Sequence, residues 1–202
     1  MSDLVYCYPP DYTTLKNKLN IRDADALERV ERRFVVQRMA EGVPSGNFGL
    51  AHLKAIHRHL FQDVYEWAGE MRTVEISKGD SQFQFRRYIE TGMADVQRRL
   101  AARDYLWGLD ATAFSREAGQ IMGDVNYAHP FREGNGRVQL LYLEQLARQA
   151  GHPLDLTKLD RDMWMTASRD AHMADYQKMS RCIADAIGVA RSRERTGRGR
   201  SR

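Results

Sequence analysis

Nine consecutive residues, His129-Pro130-Phe131-Arg132-Glu133-Gly134-Asn135-Gly136-Arg137, constrain this chain more than any other stretch. Pro130 fixes its own φ and pushes His129 away from helical geometry. Gly134 and Gly136 let successive backbone N–H groups converge on one point. From Gly136 onward Val138, Leu140, Leu141, Leu143 and Leu146 fall into a helical pattern. The glycine turn therefore opens a helix, where unpaired N–H groups and the helix dipole favour an anion. The rest of the chain is the scaffold that presents this turn.

That scaffold reads as helices. Asp23 precedes a helix carrying Leu27, Val30, Phe34, Val35 and Met39 and ending near Gly42. Pro44-Ser45-Gly46-Asn47 is a loop. A second helix starts near Leu50, carries Leu53, Ile56, Leu60, Val64 and Trp67, and stops around Gly69. Thr73 to Ser77 and Gln82 to Phe85 alternate on either side of Lys78-Gly79-Asp80-Ser81, which predicts a hairpin. A lone hairpin is marginal, so it must lean on the helices and leaves one edge free. Further helices carry Ile89, Met93, Val96 and Leu100, then span Ala111 to Tyr127. The motif helix runs to Ala150, before Gly151-His152-Pro153 breaks it. Two more lie around Trp164 and from Tyr176 to Val189. The expected fold is mainly α, a compact helical bundle with one β-hairpin beside the motif.

The motif's chemistry points to phosphorus. His129 can accept a proton near neutral pH. Glu133 is a hard oxygen donor suited to Mg²⁺, which commonly completes its shell with water and substrate phosphate oxygens. The N–H groups of Gly134, Asn135 and Gly136 can hold one phosphate, and Arg137 a second. A His-Pro pair or a Gly-Asn-Gly alone is more often just a cap or turn. Their conjunction describes transfer of a phosphorus-containing group by positioning and charge neutralisation. The sequence has neither a Walker-type loop nor a kinase glycine loop.

HPFREGNGR resembles the signature of the Fic family, His-x-Phe-x-Asp/Glu-Gly-Asn-Gly-Arg. The segment from Leu50 to Arg72 resembles the family's helix before the hairpin, and VEISKGDSQFQF resembles its flap. The resemblance covers roughly residues 20–190, with residues 1–19 an N-terminal arm and 191–202 a separate tail. It implies a protein adenylyltransferase that moves AMP from ATP to a Ser, Thr or Tyr hydroxyl of a target protein, with pyrophosphate leaving. By the same carry-over His129 is the base and Glu133 holds Mg²⁺. Gly134, Asn135 and Gly136 form the anion nest, Arg137 binds distal phosphates, and Phe131 anchors the loop in the core. Ile76, Ser77, Lys78, Gly79 and Phe83 on the flap receive the target segment by strand addition.

Two departures bear on this. Many ATP-using members continue Gly-Asn-Gly-Arg-x-x-Arg, whereas Leu140 stands here where the second arginine is expected. That arginine engages the γ-phosphate in the family and receives an inhibitory glutamate, so donor identity and control stay open. Gln139 is a partial substitute without the charge. The family's inhibitory string Ser/Thr-x-x-x-Glu-Gly/Asn is missing from the sequence, which implies control by a small antitoxin-like partner or none. The alternatives are a Fic enzyme with another nucleotide or phosphorylated donor, and a non-catalytic Fic scaffold that binds nucleotide or a partner.

Composition narrows the rest. The net charge of +4 comes from residues 191–202, which hold six arginines and one glutamate. Residues 1–190 carry 25 basic and 26 acidic side chains, a net of −1, which argues against a globular nucleic-acid binder. The arginine tail reads first as a solvated disordered end; binding to nucleic acid or an acidic partner, or the start of a longer chain, also fits it. No apolar run approaches the roughly 18 residues of a membrane span. Nothing at the N-terminus suggests secretion, and Cys7 and Cys182 suit a reducing compartment, so a cytoplasmic protein is expected, in its own cell or delivered to a host's. His52, His57 and His59 share one helix with Asp63 a turn beyond; they are read as surface and capping residues, with His57 open to packing against the domain, rather than metal ligands. Residues 1–13 read as an extended surface arm. Tyr65, Trp67, Cys182 and the Met163, Met165, Met173 and Met179 run read as packing.

Overall fold

A computed structural model describes residues 4–79 and 81–188. The arginine tail lies outside them. Seven α-helices are described: α1 (Ala24–Ala40), α2 (Leu50–Phe61), α3 (Ile89–Ala102), α4 (Ala111–Ala128), α5 (Asn135–Gln149), α6 (Arg161–Asp170) and α7 (Gln177–Ile187). A hairpin of β1 (Ser77–Lys78) and β2 (Ser81–Gln82) lies between α2 and α3. The mainly α fold with one hairpin is the one the periodicity predicts.

Aspartates start three of the helices. Asp23, Asp110 and Asp160 accept the N–H groups of Ala26, Ala113 and Met163 at 2.7, 2.8 and 2.7 Å. The core gathers around α4, whose Phe114, Ala118, Met122 and Val125 are fully buried. It packs most extensively on α7. A Cβ at Gly119 would collide with Ser180, so glycine there lets the two helices close. Leu53, Ile56 and Leu60 of α2 and Val138, Tyr142 and Leu146 of α5 complete the same core. The motif thus joins the two most buried helices of the bundle.

Several expected boundaries shift. α2 ends at Phe61 instead of near Gly69, and residues 62–69 continue as turns. Asp63 is held there by both arms of Arg38, Nε to Oδ2 and Nη2 to Oδ1, each 2.7 Å. Gly69 has φ +85° and donates its N–H to His57 Nδ1 at 2.8 Å. The hairpin ladder is shorter than predicted, pairing only Ser77 with Gln82 and Lys78 with Ser81. The Val74 and Gln84 carbonyls, expected in the ladder, accept from the Arg72 guanidinium instead.

The N-terminal arm is not extended. Cys7 bridges Leu15, and Tyr6 is buried edge-on to Trp67 with ring centroids 5.5 Å apart. His52 is buried, not on the surface: its Nε2–H donates to the Pro44 carbonyl at 3.1 Å and its Nδ1 accepts the Phe48 N–H at 3.3 Å. Of the methionine run, Met179 is fully buried while Met173 is 85% exposed, so that run is not uniformly core. Tyr65 and Cys182 are buried, as expected.

Candidate active site

His129 ends α4. It sits in the left-handed region (φ 40°, ψ 62°), and its N–H closes the helix on the Val125 carbonyl at 3.2 Å. A residue other than glycine in that region costs about 1–3 kcal/mol and persists when its surroundings hold it. The imidazole Nδ1 lies 3.1 Å from the Asn126 carbonyl, which can only accept. Nδ1 therefore carries the proton, and the Nε2 lone pair is the basic position. Burial, and secondarily the positive charges of Arg72, His172 and Lys78 against a raising effect from Asn126, push the imidazole down to about 3. The ring is neutral at neutral pH with its Nε2 lone pair available, and it is a weak base until negative charge arrives beside it.

The loop that follows is clamped from inside. Asn135 is buried, and its side chain accepts the Phe131 N–H at 3.0 Å and donates to the Phe131 carbonyl at 2.7 Å. Its amide is thus engaged by the loop, and only its backbone N–H can face an anion. Phe131 is buried and stacks on His57 at 4.0 Å. His57 donates Nε2–H to the Glu133 carbonyl at 3.1 Å and accepts the Gly69 N–H on Nδ1. It is fully buried, and burial first, then Arg137, pushes it down to about 4. The sequence marks His57 as a packed histidine at most; here it supports the floor of the loop.

Gly134 (φ +81°) is the N-cap of α5, and no side chain caps that helix. Its own N–H meets Glu133 Oε1 at 2.8 Å. The helix N-terminus beyond it is open, and Gly136 is exposed. Arg137 lies beside it, its guanidinium 4.7 Å over the Phe61 ring. Its Nη1 donates to Glu31, a buried carboxylate on α1 that also accepts the Tyr65 hydroxyl, and its Nη2 lies 3.4 Å from Glu133 Oε1. Leu27, Glu31 and Val35 form one buried stripe at four-residue spacing, so a charge on the apolar face of α1 was the available sequence signal for Glu31.

The hairpin covers the histidine. Phe83, expected to meet a target segment, is 6% exposed and stacks on His129 with centroids 3.7 Å apart. His172, which no local sequence pattern marks, lies edge-on to Phe83 at 5.2 Å. Ser77, Lys78 and Gly79 are exposed at the hairpin tip, and Ile76 is half-buried. Gln139 is buried with no hydrogen-bond partner for Nε2, so it does not stand in for the arginine replaced by Leu140; Leu140 itself packs partly buried on the core.

The Fic/DOC family model matches residues 47–147, from the loop before α2 to near the end of α5. The chain belongs to the Fic/DOC family. Among its relatives, "Probable protein adenylyltransferase y4lH" of Sinorhizobium fredii is 41% identical over 162 residues, 80% of this chain and 84% of the relative. "Protein adenylyltransferase VbhT" of Bartonella schoenbuchensis is 42% identical over 177 residues, 86% of this chain but 37% of that longer protein. In structure, the Fic fold matches the VirB-translocated effector BepC of Bartonella tribocorum with bound AMPPNP. The TM-score is 0.80 at 28% identity, covering 90% of this chain and 95% of that one.

Proposed function

We propose that this Fic protein transfers AMP from ATP to a Ser, Thr or Tyr hydroxyl of a target protein and releases pyrophosphate. One observation carries the reading: a neutral histidine with its Nε2 lone pair unengaged by Asn126 stands one short loop from an uncapped helix N-terminus. His129 Nε2 takes the hydroxyl proton as the hydroxyl oxygen forms a bond to the α-phosphorus. The bond from that phosphorus to the bridging oxygen breaks, and pyrophosphate carries away the electron pair. The backbone N–H groups of Asn135 and Gly136 hold phosphate oxygens, joined by that of Gly134 once Glu133 Oε1 releases it, with Arg137 beside them. Arriving phosphates bring negative charge that favours the imidazolium as the proton moves.

Glu133 would hold Mg²⁺. Its side chain is exposed and is the motif's one hard oxygen donor, and no group of three His, Cys, Asp or Glu among the described residues is placed to hold an ion. This donor set fits a cation that draws its remaining ligands from phosphate and water. When bound, Mg²⁺ neutralises phosphate charge and fixes phosphate orientation. Ile76, Ser77, Lys78 and Gly79 receive the target segment, and Phe83 supports them from beneath by packing on His129. Control by a small antitoxin-like partner, or escape from such control, and action in a cytosol belong to the same reading.

Leu140 favours a second reading, in which the donor is another nucleotide. Incubation of wild type and His129→Ala with α-labelled ATP, GTP, CTP and UTP and a bacterial lysate separates the two. Protein labelling from ATP that is lost in His129→Ala supports the first, and labelling from a different nucleotide alone rejects it.

A further inference from the structure

We propose that Arg72 is a positioning residue for His129, fastening both ends of the hairpin to the carbonyl of the histidine so that cover and base are held as one unit. The inference rests on the reading of His129 as the base. Arg72 is 3% exposed, and a buried guanidinium persists only where its donors are matched. Its Nε donates to the His129 carbonyl at 2.9 Å. One terminal nitrogen, Nη1, donates to the Val74 carbonyl at 2.8 Å and to Glu75 Oε2 at 3.1 Å. The other, Nη2, donates to the Gln84 carbonyl. Even the Arg72 backbone N–H reaches the Pro130 carbonyl at 2.8 Å.

The partners close a ring. Val74 precedes β1 and Gln84 follows β2, so one guanidinium holds both legs of the hairpin. Gln84 in turn donates its N–H to the Tyr127 carbonyl at 2.9 Å, two residues before His129. A two-residue ladder is too short to fix a hairpin by itself. The fork supplies that fixation and directs it at the residue whose left-handed backbone must be held. Lysine offers a point charge on a flexible stem and cannot bridge four acceptors in these directions.

The test uses the full chain without nucleotide or target, so its outcome is independent of whether AMP is transferred. Imidazole ¹⁵N shifts at neutral pH report the His129 tautomer, and amide hydrogen exchange reports the hairpin. Wild type is expected to show His129 as a single Nδ1–H tautomer. Arg72→Lys and Arg72→Gln are expected to mix the tautomers and to speed exchange at Gln84 by about tenfold or more, while Ile183 in α7 keeps its wild-type rate. If Arg72→Gln does not fold, Arg72→Lys carries the comparison. A single unchanged tautomer in a folded variant, or equal acceleration at Gln84 and Ile183, overturns the proposal and leaves Arg72 an ordinary stabilising residue.

Discussion

Arg137 of the motif is paired with Glu31, 106 positions earlier in the chain, whose carboxylate is buried beneath it and also accepts the Tyr65 hydroxyl. Glu133 approaches the same guanidinium from the other side. The one motif cation expected to meet a distal phosphate therefore already stands between two carboxylates. An incoming phosphate must share that cation or displace a partner.

Glu31→Gln is expected to tighten nucleoside triphosphate binding. The amide keeps an acceptor for Arg137 while removing one opposing charge. A gain of about 1 kcal/mol, roughly fivefold in Kd, follows from one charge at contact distance in a solvated cleft. Calorimetric titration with a non-hydrolysable triphosphate measures it. The same variant should melt a few degrees lower, because a charged hydrogen bond in the core is weakened. Weaker binding would mean that Glu31 aims Arg137 more than it competes for it.

The two glycines of the motif should behave differently. A Cβ at Gly134 would run into the Phe61 ring, and its φ of +81° disfavours any side chain. Gly134→Ala should cost about 2 kcal/mol or more of stability. Gly136 lies in α5 with nothing within 4 Å of where a Cβ would stand. Gly136→Ala should keep its melting temperature and lose nucleotide affinity, because the methyl group stands at the open helix end. Thermal melts and nucleotide titrations of both variants check this pair.

Acid should weaken the fold through two neutral histidines. His129 is pushed from 6.5 down to about 3 and His57 from 6.5 to about 4, both chiefly by burial. Below 6.5 the unfolded chain binds protons that the native chain does not. Their contribution to stability is thus full above about pH 6.5 and falls as the pH drops toward 4 and 3. Urea unfolding between pH 7.5 and 4.5 should give a steadily declining stability. His57→Gln should flatten that slope by about one proton. An unchanged slope would show that His57 does not contribute to it.

Leu140→Arg is expected to lower the KM for ATP, because it restores a cation near the donor's tail. Gln139→Leu should leave that KM unchanged, since Gln139 is buried and its Nε2 is unpartnered. Steady-state kinetics of the two variants decides whether the charge missing at position 140 limits ATP use.

The helices were legible because their apolar residues repeat at helical spacing and Asp23 marks the first start; the Asp110 and Asp160 caps emerged only from the structure. The motif was legible because Pro130, Gly134 and Gly136 each dictate backbone geometry. The extent of the hairpin was not, because alternation in Thr73 to Ser77 says nothing of a guanidinium that takes the ladder's carbonyls. Arg72, Glu31 and His172 reach the site through side chains converging from distant segments, and no local pattern announces such convergence. Glu31 alone left a trace, a charge on the buried stripe of α1. The inward turn of Phe83 escaped for a related reason: a strand residue's face depends on how the hairpin is seated on the bundle, and alternation alone does not say which face turns inward.

On the function proposed above, His129 takes a proton while AMP, not phosphate, moves to a protein hydroxyl. Parallel incubations with ATP labelled at the α- or the γ-phosphorus, using wild type and His129→Ala with a bacterial lysate, test it most directly. The expected result is protein labelling from the α-label alone, pyrophosphate released in equal amount, and at least a hundredfold loss in a folded His129→Ala variant. Labelling from the γ-phosphorus, or undiminished labelling by His129→Ala, would contradict it.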